Sequence, residues 1–130
     1  MAYLFAIDFV KGKTVLDAGC GTGYGSQILA NHASKVYAVD YSYDAIQFAN
    51  ENYAHPNLTY LVMDANYMGF GNDRFDVIVS FQVIEHMKSI DSFLRELIRV
   101  NKKDGTIIIS TPNVQPKKRK EAITNSTSMN

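Results

Sequence analysis

A glycine-rich run between positions 17 and 25 carries the strongest chemical signal in the sequence. Its glycines fall at positions 19, 21, 23 and 25, and a glycine backbone can turn sharply and approach a ligand because no Cβ intervenes. Counted from Gly19, the third glycine position of the dinucleotide-binding fingerprint holds Tyr24. Asp17 stands two places before Gly19, where its carboxylate would repel a pyrophosphate. The run favours a cationic, phosphate-free ligand over a dinucleotide, and a purely structural strand-to-helix turn is the alternative.

Two further acidic residues follow predicted strands. Asp40 comes about 20 positions after the glycine run, which suits a carboxylate that accepts hydrogen bonds from the hydroxyls of a ribose. Taken alone, Asp40 could equally be a loop or capping residue. Asp64 can accept from an exocyclic adenine amine while a neighbouring backbone N–H donates to the ring, and Met63 and Ala65 would flank the base. Each signal is weak alone, since Asp is common where strands end.

Glu85 and His86 follow the fourth predicted strand. Histidine titrates near neutral pH, so His86 is the candidate general base for an acceptor that must lose a proton. The alternative is that Glu85 and His86 cap or brace a short helical turn. The sequence leaves both interpretations open.

Five short apolar runs, rich in β-branched and aromatic residues, predict β-strands. They cover residues 14–16, 35–39, 58–62, 75–80 and 106–110. The last two are nearly continuous apolar runs, as expected of parallel strands that are covered on both faces.

Helical patterns lie between several of these strands. A short helix is expected over residues 24–32, and Ser42 is expected to cap another, with Asp44 in its first turn. A third should end near Lys102 and Lys103, with Gly105 as a stop or turn signal. The apolar faces of the last two helices are predicted to hold Ala45, Ile46, Phe48 and Ala49, and Ile90, Phe93, Leu94, Leu97 and Ile98. This alternation predicts an α/β fold, an open parallel sheet with helices on both faces that binds ligands at the carboxyl ends of its strands.

The chain resembles the class I S-adenosylmethionine (SAM)-dependent methyltransferases, which have a Rossmann-like fold. The run from Lys13 to Gly25 looks like motif I of that family, and Asp40 and Asp64 match its ribose and adenine positions. The segments 75–81, 83–86 and 111–113 are similar to its small-molecule type 11/type 23 branch. The resemblance runs in order from about Lys11 to Asn113.

This resemblance implies SAM as the cofactor and assigns the site by position. Asp17 and the loop from Gly19 to Gly23 would hold the methionine end, and Phe81 and Gln82 would line the cleft near the sulfonium. Tyr3 would belong to a lid, although ordinary helix packing explains it equally well. The residues expected to bind the cofactor are Asp17, Gly19, Cys20, Gly21, Gly23, Asp40, Tyr41, Asp64, Ala65, Phe81 and Gln82.

The implied activity is methyl transfer from SAM to a small-molecule acceptor. A SAM-binding fragment without catalytic activity is one alternative. An RNA 2′-O-methyltransferase is disfavoured, because its metal-binding Glu-x-x-Glu-His stretch would have Gln82 as the first ligand, so no metal is expected. An NAD(P)-binding module is disfavoured by Asp17 and Tyr24.

The domain is expected to occupy residues 1–112, followed by a basic and polar tail over 113–130 that is predicted to be disordered. The family's sheet has seven strands, and the final antiparallel hairpin has no counterpart after the fifth predicted strand. Without that hairpin the fifth strand would be an exposed edge, which predicts either a homodimer through the sheet edge or aggregation-prone behaviour.

Composition and charge predict the cellular location of the protein and its classes of partner. Basic and acidic residues number 13 each, so no overall field attracts nucleic acid or an anionic membrane. Asp8 interrupts the apolar stretch near the N-terminus, which argues against a signal peptide, and no run reaches the roughly 18 apolar residues of a membrane span. The single cysteine, Cys20, fits a reducing compartment, so a cytoplasmic protein is expected.

Overall fold

The structure is a computed structural model that describes residues 2–81 and 89–110. Helices and strands alternate in this part of the chain, except that no helix lies between the third and fourth strands. The helices are α1 (Ala2–Val10), α2 (Tyr24–Ala30), α3 (Tyr43–Asn52) and α4 (Ile90–Val100). The strands are β1 (Thr14–Ala18), β2 (Lys35–Asp40), β3 (Leu58–Val62), β4 (Phe75–Phe81) and β5 (Asn101–Ser110). No helix in this described part of the chain is long and apolar enough to cross a membrane.

The strands form one parallel sheet in the order β3-β2-β1-β4-β5. The chain runs outward from β1 to β3 and then returns to place β4 on the other side of β1. Ligands of such sheets bind at this reversal, outside the carboxyl ends of the strands. The predicted parallel α/β fold with helices on both faces is therefore confirmed.

Neighbouring residues of the central strands enter opposite sides of the core. Val15 of β1 belongs to a cluster with residues of α1 and α2, whereas the next residue, Leu16, packs with Phe93 and Leu97 of α4. All four of these side chains are fully buried. The continuous apolar runs of the sequence thus reflect coverage of both faces of the sheet.

The predicted α3 begins as expected, but its apolar face is narrower. The Ser42 hydroxyl accepts a 3.1 Å hydrogen bond from the Ala45 N–H, so the predicted cap is confirmed. Ile46 and Ala49 are buried. Phe48 was expected on the same face, and this was wrong: its side chain is 46% exposed and lies near the Tyr53 ring, at a centroid distance of 6.3 Å, instead of entering the core.

The predicted face of α4 is correct at its centre and wrong at its margins. Phe93 and Leu97 are fully buried, and Val100 joins them. Ile90 and Ile98 are 45% and 41% exposed, because the side chains at the edges of a helical stripe meet solvent when one face alone packs on the sheet.

The fifth strand begins earlier than the sequence predicts. β4 and β5 pair at Phe75 and Asn101 and again at Val77 and Thr106, so an irregularity separates the two registers. Gly105 lies in this irregularity and does not stop the preceding helix, which ends at Val100. A Cβ on Gly105 would lie 2.7 Å from the carbonyl oxygen of Asp76. Close backbone packing therefore explains this glycine.

Candidate functional site

The carboxyl ends of β1, β2, β3 and β4 surround a cleft of about 1170 Å³. Most of the residues that the sequence predicted to bind a cofactor line it. These are Gly19, Cys20, Gly21, Asp40, Tyr41, Asp64, Ala65 and Phe81. The other lining residues are Ala2, Tyr3, Thr22, Tyr24, Gly25, Val39, Met63, Asn66, Tyr67, Ser89 and Ser92. The predictions for Gln82 and His86 fall outside the described residues.

The glycine loop between β1 and α2 has a backbone that other residues rarely adopt. Gly19, Gly21 and Gly23 have φ angles of 85°, 59° and 96°, all in the left-handed region. The N–H groups of Gly19 and Cys20 both donate to the Val39 carbonyl, at 2.8 and 2.9 Å. The first part of the loop is thereby held against the end of β2 and presents its backbone to the cleft.

Asp40 joins the end of β2 to this loop. Its Oδ2 accepts a 2.9 Å hydrogen bond from the Gly21 N–H, and its Oδ1 accepts one of 2.9 Å from the Ser42 N–H. A carboxylate offers about four acceptor positions, so each oxygen keeps capacity for a further donor. The half-buried carboxylate is thus fixed in orientation at the cleft wall and can still accept hydrogen bonds from a diol.

Asp17 lies behind the loop and is fully buried. The Ser26 hydroxyl donates to its Oδ2 at 2.7 Å, and the Tyr3 hydroxyl donates to its Oδ1 at 3.2 Å. Burial raises the pKa of Asp17 to about 6, and the charge of Asp40 adds to this, while the two hydrogen bonds oppose it. Asp17 does not line the cleft, so its contact with a cofactor stays a prediction.

Gly23 also lies behind the cleft wall. It is the N-cap residue of α2, and a Cβ at this position would lie 2.5 Å from the Tyr60 hydroxyl and 2.7 Å from the Ala49 Cβ. Both the positive φ and the close neighbours require glycine here. Gly23 does not line the cleft. It determines the shape of the loop, and its role in binding a cofactor stays a prediction.

The loop after β3 forms the opposite wall. Asp64 is exposed and its Oδ1 accepts a 2.8 Å hydrogen bond from the Asn66 N–H. The Asn66 amide in turn donates to the Ser89 carbonyl at 3.1 Å and to the Ser92 hydroxyl. These contacts tie the segment that carries Asp64 and Ala65 to the start of α4.

Arg99 holds the rest of this loop. Its guanidinium donates to the carbonyls of Met68 and Phe70 at 3.0 and 2.9 Å, and it pairs with Glu96 at 2.7 Å. Glu96 also accepts from the Met68 N–H at 2.8 Å. The planar guanidinium suits this multiple contact, which fixes the course of the chain between β3 and β4.

Helix α1 closes the cleft on the side of β4. The Tyr3 ring packs edgewise on the Phe81 ring at a centroid distance of 4.9 Å. It also lies so close to α2 that a Cβ on Gly25 would be 2.2 Å from it. Sequence reasoning left the role of Tyr3 open and missed Ser26. The adjacent small residues Gly25 and Ser26 at the start of α2 were the available signal for a close approach.

Several known proteins are similar to this chain. The methyltransferase domain family matches residues 9–130. The chain is 40% identical over 103 residues to a Mycobacterium tuberculosis protein named "Probable S-adenosylmethionine-dependent methyltransferase", an alignment that covers 78% of this chain and 36% of that protein. It is 34% identical over 107 residues to the ubiquinone biosynthesis O-methyltransferase of Coxiella burnetii, with 80% of this chain and 45% of that protein covered.

A solved structure, the YcgJ protein of Bacillus subtilis, has a TM-score of 0.79 and 22% identity to the chain. The alignment covers 85% of this chain and 50% of that one, and at this identity the likeness shows the fold alone. The chain spans less than half the length of the two relatives named above. Because the domain family matches nearly the whole sequence, the chain belongs to the class I S-adenosylmethionine-dependent methyltransferases.

Proposed function

We propose that the cleft binds SAM and that the chain serves the transfer of its methyl group to a small-molecule acceptor. The charge of the cleft is the observation that carries this proposal. Asp40 and Asp64 line it, Asp17 lies behind it, and no Lys, Arg or His is found among its described lining residues. Such a wall disfavours a pyrophosphate and suits the sulfonium and ammonium groups of SAM.

The positions within the cleft give each part of SAM a partner. The diol of the ribose would donate to the oriented carboxylate of Asp40, and the adenine would lie beside Asp64 and Ala65 with Tyr41 at its edge. The methionine end would follow the loop at Gly19 and Cys20, with Gly21 and Gly23 giving the loop its turn. Phe81, with Gln82 after it, would face the sulfonium.

SAM supplies a methyl group already activated by a positive sulfur, so the protein mainly has to hold the reacting atoms. The nucleophile and the methyl carbon must lie in line, about 3 Å apart and shielded from water. Tyr3 and Phe81 form an apolar wall at the end of the cleft where the sulfonium would lie, and this wall would exclude water there. His86 stays the candidate base for an acceptor that must lose a proton.

A hydroxyl-bearing small molecule is the acceptor class that we favour. The named O-methyltransferase of Coxiella burnetii supports it at 34% identity. A SAM-binding chain without turnover remains the second candidate, because the alignment with that relative covers 45% of its length.

An assay of S-adenosylhomocysteine release tests the proposal. The chain is incubated with SAM and a panel of phenols, catechols and aliphatic alcohols, with Asp40→Ala as the matched control. We expect the wild type to release S-adenosylhomocysteine with at least one hydroxyl-bearing acceptor, and we expect the Asp40→Ala variant to lose this release. SAM binding without product on any acceptor would select the second candidate, and absence of SAM binding would reject both.

A further inference from the structure

Tyr60 stands directly beneath the glycine loop without lining the cleft. It lies in β3, is 7% exposed, and packs with Ala38, Ile46 and Ala49. Its hydroxyl lies 3.2 Å from the carbonyl oxygen of Gly23. The phenol therefore reaches from β3 to the last left-handed glycine of the loop.

The same hydroxyl contacts a second carbonyl, that of Tyr53, at 2.8 Å. Gly23 is the N-cap residue of α2 and Tyr53 is the C-cap residue of α3, so one hydroxyl lies between the ends of two helices. A phenol has one proton to donate, which the two carbonyls share. Burial raises the pKa of Tyr60 above its usual value, so the hydroxyl keeps this proton over the whole physiological range.

The glycine loop depends on such external contacts for its shape. Its glycines have no side chains, and glycine loses more conformational freedom on ordering than any other residue. Backbone contacts with Val39 and the carboxylate of Asp40 hold the loop from Gly19 to Gly21. At Gly23 the Tyr60 hydroxyl supplies a side-chain contact from β3, and the Gly23 carbonyl also accepts the Gln27 N–H at 3.0 Å.

We propose that Tyr60 is a positioning residue for the cofactor, holding Gly23 so that SAM meets a preformed loop. This inference rests on the proposed function of the cleft. If the hydroxyl is lost, the empty loop populates other backbone conformations, and binding must first restore the competent one. The apparent Kd then equals the intrinsic Kd divided by the fraction of the protein whose loop is in the binding-competent conformation.

The test compares Tyr60→Phe with Tyr37→Phe. The first removes one oxygen and keeps the ring. The control removes the same oxygen from a half-buried tyrosine of β2 that packs on Phe70 and Phe75, in a different side-chain cluster from Tyr60. Titration calorimetry gives the Kd for SAM, thermal unfolding gives the stability, and amide hydrogen exchange gives the opening of the loop in the ligand-free protein.

For Tyr60→Phe we expect a Kd about fivefold higher, the equivalent of one ordinary hydrogen bond. Exchange at the amides of residues 19–25 should be faster, while those of Val15 and Leu16 in the core of β1 stay protected. Tyr37→Phe should change neither the Kd nor the exchange of the loop.

If Tyr60→Phe changes neither the Kd for SAM nor the exchange of the loop amides, the inference about Tyr60 is overturned. The proposed function is untouched by that result as long as the wild type binds SAM. Equal losses of affinity in both variants, in proportion to their stability, would also overturn it, because the effect would then be general. If the wild type does not bind SAM, the proposed function fails and the inference about the cofactor fails with it. Loop exchange in the ligand-free variants then separately shows whether Tyr60 holds Gly23.

Discussion

The hydroxyl of Tyr3 donates a hydrogen bond of 3.2 Å to Oδ1 of Asp17 and thereby joins the first helix to the strand that leads into the glycine loop. The ring of the same tyrosine packs on Phe81 at the end of β4. A single side chain thus connects α1, β1 and β4 at the cleft. Asp17 is buried and depends on Tyr3 and Ser26 for its hydrogen bonds, so changes at Tyr3 should affect both folding and binding.

Replacing Tyr3 with Phe should lower the free energy of unfolding by about 1.5–3 kcal/mol at pH 7.5, the usual range for a hydrogen bond to a charged group. The ring and its contact with Phe81 remain, so the loss reports on the hydroxyl. Urea denaturation measures it, and Tyr43→Phe, at a residue that is 66% exposed, serves as the control. Equal stability of wild type and Tyr3→Phe would show that Asp17 does not need this donor.

Asp17 should make the stability of the protein depend on pH. The pKa of Asp17 is about 6 in the folded protein, compared with the ordinary value of 3.8 expected in the unfolded chain. The folded protein therefore binds the proton more tightly than the unfolded chain does. Its contribution therefore favours folding below pH 4 and is lost as the pH rises through about 6. The size of this loss is about 3 kcal/mol, from the size of the pKa shift.

The comparison of Asp17→Asn with wild type isolates this effect, because other titrating groups are common to both proteins. The stability of the variant relative to wild type should increase between pH 4 and pH 7.5, as measured by chemical denaturation. SAM affinity should fall, since the variant lacks the buried negative charge behind the loop. A stability difference that does not vary with pH would contradict the raised pKa.

Gly25 should not tolerate a methyl group. In an ordinary helix alanine is more stable than glycine by about 1 kcal/mol, but here the added Cβ would lie 2.2 Å from the Tyr3 ring. We expect Gly25→Ala to destabilise the fold by about 1–3 kcal/mol, as overpacking does, and to weaken cofactor binding by displacing Tyr3. Gly71→Ala is the control, because nothing lies within 4 Å of a Cβ there. A stabilised Gly25→Ala would show that α1 moves away at little cost.

The sequence predicts the parallel sheet well because its strands are covered on both faces and read as continuous apolar runs. The position of Asp40 at the cleft is also predictable from the sequence, because the carboxyl ends of parallel strands meet at one edge of the sheet. The hydrogen bond between Tyr3 and Asp17 could not be predicted from the sequence, because it joins residues 14 positions apart and depends on how α1 packs on the sheet. The early start of β5 was equally hidden, since its exposed polar residues 102–104 have no strand-like alternation.

Titration calorimetry of the chain with SAM and with NAD, repeated on Asp40→Ala, tests the central claim most directly. We predict saturable binding of SAM, no heat of binding with NAD, and loss of at least tenfold in SAM affinity in the variant. The reason is that the oriented carboxylate would accept two hydrogen bonds from the ribose in the proposed complex, each worth about 1.5–3 kcal/mol. Binding of NAD in preference to SAM, or SAM binding that does not depend on Asp40, would contradict it.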